Sequence, residues 1–167
     1  MRIAIVKLSA LGDIVHAMVV LQFIKRFNKE ILIDWVVDEN YKELLDKHPD
    51  INQVFTTKLK QVKKNKSVFQ LLTELSKVRK LGPYDIVIDL QGLYKSAIIS
   101  KLIPAKKTIG FDKRSIRERL ASFFYSDKFN YEYSKNVIER NTAIVGFALG
   151  LSISKKQIQH KSSFLFP

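Results

Sequence analysis

MRIAIVKLSALGDIVH, residues 1–16, is the stretch from which the reading of this chain proceeds. Ile3, Ala4, Ile5 and Val6 make an unbroken apolar run, the pattern of a strand buried on both faces of a parallel sheet. The strand is read over Arg2 to Lys7, a turn over Leu8 to Gly12, and a helix opening at Asp13. In an open α/β sheet, ligands sit outside the carboxyl ends of the strands. Asp13 therefore falls at a helix N-terminus beside a candidate cleft, where the helix dipole favours an ionised carboxylate. Such a group is a general base if a substrate hydroxyl reaches it. An aspartate that merely caps the helix suits the same position, and the residues alone leave both roles open.

Working outward, Ile14, Val15, Met18, Leu21 and Ile24 recur at three- and four-residue steps, so residues 13–28 read as an amphipathic helix. A second strand is expected over residues 31–37, a short helix over 40–47 ending before Pro49, and a third strand over Gln53–Thr57. KLKQVKKNK, Lys58–Lys66, reads as a basic loop. A helix follows from Ser67 to Leu81, with Val68, Leu71, Leu72, Leu75 and Val78 on its apolar face and Gly82-Pro83 as its stop. Tyr84–Leu90 is the fourth strand, Leu93–Ile103 a helix and Lys107–Gly110 a fifth strand. Ile116–Tyr125 is expected to be helical, residues 127–133 extended, and Ser134–Leu149 a last helix ended by Gly150. Strands alternating with helices predict an α/β fold with a doubly wound, mostly parallel sheet. Residues 1–150 form one domain in this reading. The polar stretch 151–167 reads as a linker toward further chain.

The 167 residues are enough for one domain with a real core. The absence of cysteine removes disulfides, thiol catalysis and thiolate metal sites. His16, His48 and His160 lie too far apart for ligand spacing. Met1 leads straight into a strand, so no signal peptide is read, and the apolar run Ile14–Ile24 is too short to span a bilayer. The net charge is +13, and it is concentrated. Residues 58–80 carry eight basic side chains against Glu74, and residues 101–119 carry seven against Asp112 and Glu118. Two such stretches call for an anionic partner: phosphates, an acidic sugar, nucleic acid or a membrane surface.

Several chemistries lack their motif. No G-x-G-x-x-G follows the first strand, whose turn holds only Gly12. There is no P-loop and no G-x-S-x-G elbow, and no paired carboxylates stand beside histidines. What remains is one carboxylate and a set of cations and amides at strand ends. Asp13 follows the first strand, Lys60, Lys63 and Lys64 the third, Gln91 and Lys95 the fourth, and Arg117 the fifth. A parallel sheet brings all of these toward one edge. One acid facing several cations suits a base-catalysed transfer to an anionic acceptor. The plainer alternatives are solvated lysines in the basic loop, a snorkelling Lys95, and an Arg117 paired with Glu118 or Asp112.

Taken together, MRIAIVKLSALGDIVH, IDWVVDENY, KLKQVKKNK, YDIVIDLQGLYKSA, GFDKRSIRERLASFFY and NVIERN occur in an order that resembles the N-terminal half of the lipopolysaccharide heptosyltransferases. The strand-plus-ALGD opening is similar to the group at large. DLQGLYKSA with SIRERLASFFY points to the branch adding the first heptose of the inner core. The resemblance runs to about Leu151 and implies a GT-B glycosyltransferase, two Rossmann-like domains facing a cleft. In such enzymes the N-terminal domain binds the acceptor, lipid A bearing acidic Kdo sugars. The C-terminal domain binds the donor, ADP-L-glycero-β-D-manno-heptose. The anomeric centre inverts, and no cofactor or active-site metal is implied. The catalytic aspartate of the family falls on Asp13, and acceptor contacts fall on Ser9, Gly12, Lys60, Lys63, Lys64, Gln91, Lys95 and Arg117. Relatives often carry arginine at positions 60 and 63, and Ala10 stands where some carry serine. The implied place is cytoplasmic, peripheral on the cytoplasmic face of the inner membrane. Family chains are roughly double this length, so the donor-binding half is expected to be missing here.

A nucleic-acid-binding module fits the lysine runs, but no helix-turn-helix, aromatic RNA-binding motif or basic recognition helix is visible, and no nucleic acid is expected as partner. A membrane-surface adaptor using the same basic stretches on anionic lipid is the other alternative.

Overall fold

A computed structural model describes residues 1–163. Its sheet has six strands: β1 (Arg2–Val6), β2 (Leu32–Asp38), β3 (Gln53–Thr57), β4 (Tyr84–Asp89), β5 (Ala105–Phe111) and β6 (Asp127–Phe129). They run in the order β3-β2-β1-β4-β5-β6, and every pairing is parallel. The helices are α1 (Leu11–Phe27), α2 (Lys42–Leu45), α3 (Leu59–Asn65), α4 (Val68–Arg79), α5 (Tyr94–Leu102), α6 (Val137–Leu149) and α7 (Lys155–Gln159). The order reverses between β1 and β4, so a crevice opens there at the carboxyl edge.

The two-residue period of a strand sorts the core into two layers. Ile3, Ile5, Ile33, Trp35, Val37, Ile86, Ile88 and Ile109 face α1 and α6, with Ile14, Met18, Leu21, Ile144 and Val145 packed against them. Ala4, Val6, Val36 and Val87 face the other way, against Val78 of α4 and Ile99 of α5. That second face also buries charge, most fully at Asp34. Asp34 has no exposure and accepts from Arg2 Nη2 (2.6 Å), Tyr84 Oη (2.8 Å) and Asn52 Nδ2 (2.8 Å), which satisfies it.

The doubly wound parallel sheet matches the expectation, with local corrections. The opening helix begins at Leu11, not Asp13. Ala10 is its N-cap with extended backbone and no side-chain cap bond, so Asp13 lies inside the first turn. Gly12, expected to end the turn, lies instead in the first turn of α1. The basic loop is a helix, α3. Lysine, glutamine and leucine are good helix formers, buried Val62 anchors it, and the carboxylate of Glu74 accepts from Lys58 N at 3.0 Å. In place of a helix over 116–125 there is a 3-10 segment, Arg119–Phe124. Just before it, Asp112 Oδ1 holds the backbone N–H groups of Arg114 and Ser115 (both 3.0 Å) in a turn. The last long helix starts at Val137, where the Asn136 side chain accepts from Ile138 N. Within 151–163, Ser154 caps the short α7, and Ser162 N donates to Gln22 Oε1 at 3.0 Å. The rest of the expected linker, 164–167, lies outside the described residues. No helix among the described residues is long and apolar enough to cross a membrane.

Candidate active site at the carboxyl edge

The turn after β1 is built by its neighbour across the switch point. Gln91 Oε1 accepts from Leu8 N (2.7 Å) and Ser9 N (3.1 Å), and Gln91 Nε2 donates to Ser9 Oγ (3.2 Å). Gln91 is itself positioned by Asp89, a fully buried carboxylate that accepts from Gln91 N (2.8 Å), Gly92 N (3.1 Å) and Tyr125 Oη (2.7 Å). Burial raises the pKa of Asp89, while these hydrogen bonds pull the other way. Gly92 has φ +69°, and a Cβ there would come within 2.7 Å of Ile116 Cγ2, so the QGL turn requires glycine.

Two cavities flank this turn. The first, ≈ 360 Å³, lies over the ends of β1, β4 and β5 and is lined by Asp13, Lys7, Gln91, Arg117, Lys135 and Arg140, among others. Asp13 is exposed. It is the only carboxylate among the lining residues, facing four cations. Lys7 is buried; its Nζ donates to Leu90 O at 3.4 Å, and its other two N–H bonds have no partner among the described residues. Burial lowers the Lys7 pKa, and the charges of Asp13 and Asp89 only partly restore it. Arg140 is half-buried, 4.5 Å over the ring of Phe111 and 5.0 Å over that of Tyr133. It donates to the carbonyls of Ser115 (2.6 Å) and Glu132 (2.9 Å). Burial lowers its pKa too, with Tyr133 and Tyr131 opposing.

Arg117 lines this cavity free of the ion pairs open to it in sequence. Glu118 accepts instead from Tyr94 N (2.5 Å), and Asp112 from Ser115 Oγ and Asn130 Nδ2 (both 2.7 Å).

The second cavity, ≈ 460 Å³, lies over β1, β2 and β3. Lys60, Lys63, Lys66 and Lys95 stand around Leu8, Leu59, Val62, Val68 and Leu71. Lys60 donates to Tyr41 Oη at 3.2 Å and lies 4.8 Å from its ring centroid. Lys64 lines a smaller hollow with Lys58 and Asp38. Lys7 borders the first cavity and Leu8 the second, so the end of β1 divides them.

The sequence-predicted residues therefore separate. Asp13, Gln91 and Arg117 come together in one cavity, and Lys60, Lys63 and Lys95 in the other. Ser9 is held by Gln91, and Gly12 has open space within 4 Å of where a Cβ would stand. Sequence reasoning missed Lys7, Arg140 and Asp89. A lysine ending an apolar run was available as a signal for Lys7. Arg140 lies in the quoted NVIERN block, but nothing local directs it to the cavity, which it reaches because α6 packs beside α1 and β5.

Residues 72–164 match glycosyltransferase family 9 (heptosyltransferase). The chain is 43% identical over 161 residues to lipopolysaccharide heptosyltransferase 1 of Campylobacter coli, covering 96% of this chain and 45% of that protein. It is 32% identical to the enzyme of the same name from Escherichia coli K12, covering 95% and 50%. The structure of E. coli heptosyltransferase WaaC with ADP-2-deoxy-2-fluoro heptose superposes with a TM-score of 0.85 at 30% identity, over 93% of this chain and 50% of that one. The chain thus spans about half the length of the relatives it matches.

Proposed function

Because the chain belongs to glycosyltransferase family 9, the heptosyltransferases, we propose that it is the acceptor-binding half of a heptosyltransferase I. The reaction is transfer of L-glycero-D-manno-heptose from ADP-heptose to the Kdo sugar of a Kdo-lipid A acceptor. The observation that carries this reading is the single exposed carboxylate, Asp13, facing Lys7, Arg117, Lys135 and Arg140 across one cavity at the switch point. The acceptor has acidic sugars and phosphates, and these cations hold it by charge. Arginine grips a carboxylate through two parallel N–H bonds, whereas lysine supplies a point charge. Asp13 takes the proton from the attacking hydroxyl as its oxygen bonds to the anomeric carbon. The bond from that carbon to the departing ADP oxygen breaks on the opposite side, which inverts the centre. A positioned base of this kind contributes typically ~10²–10⁴-fold. Lys60, Lys63, Lys64 and Lys95 hold the acceptor's phosphates beside the second cavity, and Gln91 sets the turn that carries Ser9 and leads into the first turn of α1, where Asp13 stands. The donor belongs to the half of the relatives that this chain does not match. The acceptor is a membrane lipid, so the protein works as a peripheral enzyme on the cytoplasmic face of the inner membrane.

The test is titration of a Kdo-bearing lipid A analogue into the 167-residue chain at several salt concentrations. Saturable binding that weakens with salt is expected. Absence of saturable binding, or equal affinity for an analogue lacking Kdo, would sink the acceptor assignment.

A further inference from the structure

The helix α4 does not pack in the way its sequence predicts. Of the expected apolar face, only Val78 is buried. Val68 is 71% exposed, Leu72 61% and Leu71 38%, and next to them Phe69 is 80% exposed. The cause is Glu74, which is buried beneath the helix. It accepts from Lys58 N and Lys77 Nζ (2.7 Å), tying α4 to the start of α3. With Glu74 turned inward, the Val68, Phe69 and Leu72 stripe is turned outward, since these residues share a helix face away from position 74. Surfaces of soluble proteins rarely leave a contiguous apolar patch of this kind without a partner.

The surroundings of the stripe select the partner. The exposed side chains Lys60, Lys63, Lys64 and Lys66 lie on α3 and its C-cap, immediately before α4, and Arg79 and Lys80 close its far end. Lys63, Lys64 and Lys66 have no acidic partner among the described residues. Residues 58–80 carry a net +7, with their one acid buried. A second copy of this chain would bring two such cationic surfaces together, which like charge opposes. An apolar strip bordered by lysines instead matches the layering of an anionic bilayer, with acyl chains below a plane of phosphates. The cavity beside the strip repeats that layering, with Val68 and Leu71 sharing it with Lys60, Lys63 and Lys66.

We propose that the α3–α4 unit is the membrane-docking element of this protein, with Val68, Phe69 and Leu72 entering the interface of an anionic bilayer and the α3 lysines contacting lipid phosphates. This docking is to bulk anionic phospholipid and is separate from recognition of the acceptor sugar. It places the carboxyl edge of β3 and the second cavity against the membrane surface.

The test uses vesicles with no acceptor lipid, so its outcome is independent of the acceptor reading. The chain has one tryptophan, Trp35, which is fully buried and gives a constant background. Phe69→Trp then reports on the stripe. With mixed phosphatidylglycerol and phosphatidylcholine vesicles, its emission is expected to shift blue and to be quenched by brominated acyl chains. With phosphatidylcholine alone it is expected to stay unchanged. In the Trp-free stripe, Val68→Ser, Phe69→Ser and Leu72→Ser together are expected to lower vesicle partitioning by roughly tenfold or more, because the apolar area they would bury in the interface is lost. The melting temperature should not fall, because the three side chains are exposed. Vesicle binding without quenching, or undiminished binding by the triple variant, overturns the proposal in favour of charge alone. Self-association that the triple variant abolishes, with no vesicle binding by the parent, assigns the face to a second copy instead.

Discussion

Asp13 shows how a shift of two residues in a helix start changes what a substitution tests. As an N-cap, its replacement by alanine would cost the cap bond. Inside the first turn, with Ala10 as the cap, it holds no such bond. Its only contribution to the helix is charge near the positive end of the dipole, typically about 0.3–1 kcal/mol. Asp13→Asn in a protein carrying both halves is therefore expected to lower heptose transfer by about 10²–10⁴-fold with little change in melting temperature. Steady-state rates beside a melting curve check this, and near-normal turnover would return Asp13 to a structural role. Lys7 supplies the converse case, a buried cation with one long hydrogen bond. Burial lowers its pKa in the folded state, while the unfolded value stays near the usual ~10.4. Between those two values the folded chain binds fewer protons than the unfolded one, so stability rises with pH across that window. Lys7→Met should remove this rise and hold or raise stability at neutral pH, while weakening acceptor binding. Denaturant melts from neutral to alkaline pH read the first effect, and the acceptor titration reads the second.

At the scale of elements, α3 and α4 separate what charge can say from what packing decides. The basic character of 58–66 was legible, but its helix was not, because the residues that fix it are Val62 on its buried side and Glu74 sixteen residues beyond Lys58. The apolar periodicity of α4 was equally legible and pointed to a buried face, but with Glu74 buried only Val78 of that face is covered fully. The helical form of α3 sharpens a prediction. Alanine is the strongest helix former, so Lys60→Ala, Lys63→Ala and Lys64→Ala together should leave α3 in place. Weaker acceptor binding with a flatter salt dependence then reports lost charge rather than a lost element. Equal affinity in the triple variant would make these lysines solvated surface. Gly110 in β5 is a different kind of element-level fact. A Cβ there would stand 2.2 Å from the Tyr125 ring, whose hydroxyl holds Asp89. Gly110→Ala is expected to destabilise by about 1–3 kcal/mol through overpacking, measured by urea melts. No local pattern announces that contact, since the ring arrives from fifteen residues away.

At the scale of the molecule, the alternation of strands and helices made the parallel α/β class legible, and the position of the first strand made its carboxyl edge the expected site. The division of that edge into two cavities was not legible, because it depends on Gln91 reaching from β4 to pin Leu8 and Ser9 after β1. The sheet bears on what the 167-residue chain does alone. Six strands are covered on one face by α1 and α6 and on the other by α4 and α5, with Ile153 and Ile158 packed against the first layer, so both core layers close within the described residues. A core of that form supports one cooperative transition in a domain of this size. Trp35, buried in the first layer, should report the same midpoint by fluorescence as the helices report by circular dichroism. Catalysis asks for more. The proposed base and acceptor cations all come from this sheet edge, but the proposed displacement of ADP also needs a donor held in near-attack geometry, and we assign that donor to the half of the relatives this chain does not match. The chain is accordingly expected to melt cooperatively, to bind acceptor, and to transfer no heptose from ADP-heptose by itself. Coincident melting curves with a silent transfer assay are the expected pair. Transfer at rates typical of enzymes would mean that the donor also binds this half, and the first cavity, with Arg117, Lys135 and Arg140 able to take a diphosphate, would then be its site.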